Sequence, residues 1–93
     1  MQSSATAPST IAVRVGFPIG HKPPFRKDYP QATPLSIVRT DTMAYFGVQD
    51  DSEYRYYLTH DDQPIDDESK TVGALADRAR AVKLGLVKHL IQG

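Results

Sequence analysis

The chain has 93 residues, the length of one domain and enough for a single modest core. It holds no cysteine, which excludes disulfides, thiol catalysis and thiolate metal sites; its 11 basic and 11 acidic residues cancel, so no overall field draws in nucleic acid or an anionic membrane. No run approaches the roughly 18 apolar residues of a membrane helix, and "MQSSATAPST" lacks the basic front and apolar centre of a signal peptide, so a soluble, cytoplasmic protein is expected.

Residues 1–9 are Ser, Ala, Thr, Gln and Pro after the initial Met, with nothing to bury, and read as a disordered leader before a domain over residues 10–93. In "TIAVRVGF" Ile11, Val13 and Val15 share one face and Ala12, Arg14 and Gly16 the other, the period of a half-buried strand. "PIGHKPP" must turn. "FRKDY" returns as a second strand, with Phe25, Lys27 and Tyr29 on one face, where the lysine interrupts the pattern.

"ATPLSIVRTDTMAYFGV" predicts the one long helix. Thr33 is the expected cap and Pro34 suits the first turn, where its missing N–H costs nothing. Leu35, Val38, Thr42 and Phe46 then form one stripe, and Gly47 offers a left-handed stop. After the polar turn "QDDSE", the aromatic "YRYYLT" predicts a strand. "HDDQPIDDESK" predicts a turn and a very short strand around Gln63–Ile65. "TVGALAD" predicts a tight or single helical turn with Val72 and Leu75 inward.

The last segment has two local readings. As a helix, Leu75, Ala79, Val82, Leu86 and Leu90 make a stripe. As a strand, Val82, Leu84 and Leu86 oppose Lys83 and Gly85, with a bulge where Leu86 and Val87 adjoin. Gly85 weakens both, and periodicity does not choose.

The chemistry-bearing residues do not assemble into a catalytic or metal motif. The run holding His60, Asp61, Asp62, Asp66, Asp67 and Glu68 lacks the alternating carboxylates and glycine of a calcium loop, and reads as a solvated turn. No two of His21, His60 and His89 stand at ligand spacing. Ser36, Ser52 and Ser69 lack a nucleophile-elbow context, and "GHKPP" has prolines where a phosphate loop needs amides. No catalytic residue, metal or cofactor is expected, and the chain is not read as an enzyme. At most two of Tyr54, Tyr56 and Tyr57 can face outward to stack on bases, and the neutral charge argues against nucleic acid.

The order hairpin, helix, strand, short strand, tight turn, final strand resembles the ubiquitin-like β-grasp superfamily. "ATPLSIVRTDTMAYFG" is similar to its long helix, "YRYYLTHDDQPIDDESKTVGAL" to its third strand, short fourth strand and threonine-led turn, and "LGLVKHLIQG" to its closing strand ending on glycine. The flavour is that of bacterial ubiquitin-like proteins. The resemblance implies an α+β fold, a mixed four- to five-stranded sheet packed on one main helix, and selects the strand for the C-terminal run. The expected core is Ile11, Val13, Val15, Leu35, Val38, Phe46, Leu58, Leu75, Leu84 and Leu86.

It also implies a function: a small protein modifier, monomeric, whose partners are an activating enzyme and its targets. The carboxylate of Gly93 would be the conjugated group and Gln92 its lead-in, since a residue without Cβ passes a narrow channel where others clash. Most conjugated members end in two glycines, and Gln92 stands where the first would be. The surface implied for partner binding comprises Arg55, Tyr57 and Val87, with Gly85 beside them. A non-covalent adaptor, or a sulfur carrier using the same carboxylate, are the alternatives.

Overall fold

The computed structural model describes residues 10–91; the expected leader and both conjugation residues, Gln92 and Gly93, lie outside the described residues. Strand β1 (Thr10–Gly16) alternates as its sequence requires, burying Ile11, Val13 and Val15. It pairs antiparallel with β2 (Phe25–Pro30), where Phe25 and Tyr29 turn inward. Lys27, directly opposite Val13, keeps its ammonium in water by reaching the edge, 3.5 Å from Asp41 and 5.3 Å from the Tyr29 ring centroid.

Helix α1 (Leu35–Phe46) buries Leu35, Val38, Thr42 and Met43. The Thr42 hydroxyl has no water to bond and donates to the Val38 carbonyl at 2.7 Å. The expected Thr33 cap does not form. Pro34 is the N-cap residue, extended and with no side-chain bond. The first helical N–H groups are instead satisfied by a distant segment: Leu35 donates to the Lys70 carbonyl at 2.8 Å and Ser36 to that of Glu68 at 3.0 Å. Gly47 ends the helix at φ 72°, its N–H on the Ala44 carbonyl and that of Val48 on Met43. Arg39 ties the helix to the loop that follows it and to the distant loop over residues 65–71, 2.8 Å from Asp50 and 2.9 Å from Glu68.

β3 (Tyr54–His60) and β4 (Gln63–Pro64) form a hairpin joined by Asp61 and Asp62, both at positive φ, as a two-residue turn following strand twist requires. Asp61 and Asp62 suit it because short polar side chains tolerate the left-handed region. Helix α2 (Val72–Ala76) is capped by the Thr71 hydroxyl, which accepts from the Ala74 N–H at 3.1 Å. β5 (Ala81–Leu90) closes the fold as a strand, parallel to β1 and antiparallel to β3. Its register with β3 is unbroken from Gly85 to Leu90, so the expected bulge at Leu86–Val87 is absent; Val87 simply faces outward.

The sheet order is β2-β1-β5-β3-β4, mixed and five-stranded, with α1 on one face. Of the expected core, Phe46 and Leu75 are only partly buried at its margin, and the rest is enclosed. Phe25, Tyr29, Met43, Tyr56, Val72, Ala76 and Val82 complete it. Among the described residues no helix is long and apolar enough to cross a membrane.

One partly buried polar contact sets a pH dependence. The Tyr29 hydroxyl donates to Asp41 at 2.7 Å. Burial first, and then the bond to Asp41 and its negative charge, push the phenol above its ordinary range. Above about pH 10 the unfolded chain therefore sheds this proton while the folded chain keeps it, and stability falls as pH rises. Tyr29→Phe is expected to cost about 1 kcal/mol near neutrality through the lost bond and to flatten the alkaline decline. Urea midpoints measured for both proteins across this range check it; parallel curves would refute it.

Candidate functional site

The outer face of the sheet, opposite α1, carries the residues singled out in the sequence. Period-two alternation sends Tyr56 and Leu58 into the core and leaves Arg55, Tyr57 and Thr59 outside. The β3–β5 register sets Arg55 opposite His89, Tyr57 opposite Val87 and Thr59 opposite Gly85. Arg55, Tyr57 and Val87 thus lie in one patch, although 32 positions separate the first and last in the chain (87 − 55).

The Tyr57 ring meets the His89 ring edge-on, with centroids 6.0 Å apart and planes at 70°. Val87 and Tyr57 are each half-buried, and Arg55 and His89 are exposed at the border. A cross-strand aromatic–β-branched pair of this kind stabilises the sheet and offers an apolar platform with a polar tip. His89 is a member that the sequence reading missed; its place two residues beyond Val87 on one strand was the available signal.

Two structures hold the patch in place. At the start of β3, Asp51 accepts from the N–H groups of Glu53 at 2.7 Å and Tyr54 at 2.8 Å, which hold its carboxyl below the usual range. At the same end of the strand pair, the Ile91 N–H donates to the Glu53 carbonyl at 2.7 Å. A cleft of about 630 Å³ between the β1–β2 loop and the β3–β4 turn runs beside the patch, lined by Gly16, Lys83, Gly85, Thr59 and Val87.

The tyrosine-rich strand divides as strand geometry requires: Tyr56 is buried, Tyr54 lies half-buried under the Lys88 ammonium at 4.0 Å, and Tyr57 alone of the three faces outward. In the acidic run, Asp67 accepts from the Ser69 hydroxyl and N–H, which lower its pKa and organise the loop. Among the described residues no three His, Asp or Glu side chains gather as a metal site.

The architecture superposes on that of a Caldiarchaeum subterraneum ubiquitin with a TM-score of 0.70, across 90% of this chain and 99% of that one, at 18% identity. The chain has the ubiquitin-like β-grasp fold. The fold is also similar to that of a ubiquitin-like domain from tubulin-binding cofactor B, with a TM-score of 0.57, 19% identity and coverage of 85% of this chain and 89% of that. A chain of the MycP5-free ESX-5 inner membrane complex matches at a TM-score of 0.57 and 14% identity, over 92% of this chain but 22% of its own length. No protein-family model and no curated protein matches the sequence.

Proposed function

We propose that the ubiquitin-like domain is a binding protein and not an enzyme, and that it works by presenting the Arg55–Tyr57–Val87–His89 patch to partner proteins. The observation that carries this reading is the Tyr57–Val87 pair on the outer sheet face, with the Tyr57 ring against His89. Interfaces concentrate their energy in aromatic and arginine anchors of this kind, ringed by polar groups.

A specific observation favours a second role on the same scaffold. β5 keeps its pairing to Leu90, and Ile91 is still hydrogen-bonded, which carries the chain in extended form to within two residues of Gly93. That geometry suits delivery of the Gly93 carboxylate to an ATP-using activating enzyme. Adenylation, transfer to a thiol and attack by a target amine would then make the chain a modifier. Sulfur transfer to the same carboxylate would make it a carrier.

One experiment separates these readings. N-terminally tagged wild-type, Tyr57→Ala and Gly93-deleted chains are expressed in the native cell, recovered, and compared by quantitative mass spectrometry and denaturing gels. Docking predicts partners lost with Tyr57→Ala, by about 30-fold in affinity, with little change in thermal stability. An unchanged partner set in that variant overturns the docking reading. Conjugation predicts heavier bands that survive reducing denaturation and vanish without Gly93. A gain of about 16 Da localised to Gly93 marks the carrier instead; localisation matters because methionine oxidation adds a similar mass.

A further inference from the structure

A second patch lies on the outer sheet face, separated from Tyr57 by the Gly16–Gly85–Thr59 row. Arg14 stands directly opposite Arg26 across β1–β2 and directly opposite Lys83 across β1–β5. Three cations therefore form one row across three strands, about 10 Å from end to end at the usual strand spacing. Like charges placed opposite one another destabilise a sheet.

Asp28, Asp61 and Asp62 border the row, but among the described residues none of them pairs with it. All three cationic side chains are exposed and, among the described residues, none makes an ion pair or a side-chain hydrogen bond. Four other cations are engaged: Lys22 on the Tyr45 carbonyl, Lys27 on Asp41, Arg39 on Asp50 and Glu68, and Lys88 over Tyr54. Arg55, Lys70, Arg78 and Arg80 make no ion pair among the described residues either, but no β-sheet register sets them in a row. The flanking rows hold Ala12 between Ala81 and Asp28 on one side and Gly16 opposite Gly85 on the other. The cations line an open trough of about 500 Å³ that also holds Asp28.

We infer that this row docks an acidic segment of a partner protein, lying extended across β2, β1 and β5. Alternate side chains of an extended segment project on one side about 6.8 Å apart, so two carboxylates at that spacing can each bridge two of the three cations. The planar guanidinium groups of Arg14 and Arg26 suit forked bonding to carboxylates. The row is short and bounded by acids, Asp28 at one border and Asp61 and Asp62 beside Lys83 at the other. A polynucleotide needs a continuous positive track, and this surface interrupts one. The site is separate from the Tyr57 patch and stands or falls without it.

The test is fluorescence anisotropy with a labelled peptide alternating Glu and Ser, against its Gln-for-Glu counterpart. Wild type, the Arg14→Gln/Lys83→Gln double variant and Tyr57→Ala are compared at low and raised salt. Expected are a preference for the acidic peptide, about tenfold weaker binding in the double variant, further weakening with salt, and no change in Tyr57→Ala. The melting temperature of the double variant should equal or exceed that of wild type, because repulsion is removed; this separates lost docking from lost folding. Three results overturn the inference: equal binding of both peptides, equal binding by the double variant, or tighter binding of a single-stranded oligonucleotide of the same charge. So does sedimentation showing that the row instead joins two copies of this chain.

Discussion

Replacing Leu58 with alanine is expected to destabilise the domain by about 3–5 kcal/mol. Leu58 is fully enclosed and sits directly opposite Leu86, which is equally enclosed, on the central strand pair. Truncation removes buried surface and leaves a cavity that flanking strands cannot close without breaking their own ladder hydrogen bonds. A domain of this size holds only about 5–15 kcal/mol in total, so much of its stability goes. Urea titration should show a lower midpoint with unchanged slope, and a thermal melt a fall of about 12 °C or more. Tyr57→Ala, one residue away but facing water, should change far less. A loss under about 1 kcal/mol at Leu58 would contradict the enclosed position that the β3–β5 pairing gives it. The contrast between the two neighbours also guards the functional test, since Tyr57→Ala reports on docking only if the sheet beneath it survives.

Gly73→Ala is expected to destabilise the domain by about 1–3 kcal/mol, although helix propensity alone calls for a gain of about 1 kcal/mol. Gly73 lies inside α2, and a Cβ there would meet the Gln31 Cβ at 2.8 Å and its carbonyl oxygen at 3.0 Å. The same carbonyl accepts the Gly73 N–H at 2.9 Å, so relief of the clash costs a hydrogen bond. Movement would spread. Val72 donates to Thr33 nearby, and the carbonyls of Lys70 and Glu68 satisfy the first turn of α1. Chemical denaturation of Gly73→Ala beside Ala74→Gly separates the effects: the second, at an exposed helical position, should lose only the ordinary propensity difference. A more stable Gly73→Ala protein would show that the close approach to Gln31 is not maintained.

Much of the architecture is legible residue by residue. The alternation of Ile11, Val13 and Val15, the stripe from Leu35 to Phe46 and the stop at Gly47 each follow from local geometry. Of the candidate site, Arg55, Tyr57 and Val87 were legible through resemblance to a known order of elements. Their meeting depends on the β3–β5 register, which no single segment encodes. His89 escaped for the same reason, because its contact with Tyr57 lies across the strands. Tyr29 and Tyr56 were missing from the expected core because hydroxyl-bearing aromatics have no fixed side in a pattern. Tyr29 goes inward on the same face as Phe25, opposite Ile11, and its hydroxyl is satisfied there by donating to Asp41 on the neighbouring helix.

The amino-acid order by itself determined that β1, β2 and β3 extend, that Leu35–Phe46 coils and where that helix stops, because each depends on neighbours within a few residues. Only the tertiary structure decided the rest. The Ala81–Leu90 run, ambiguous alone, is a strand because β1 and β3 offer it backbone partners on both sides. Thr33 does not cap α1 because carbonyls from Glu68 and Lys70 reach the helix first. Arg14, Arg26 and Lys83 form a row because three distant segments share a register. In each case the decisive partner is remote in the chain, and a hydrogen bond or a charge repulsion between remote groups exists only once the chain has closed on itself.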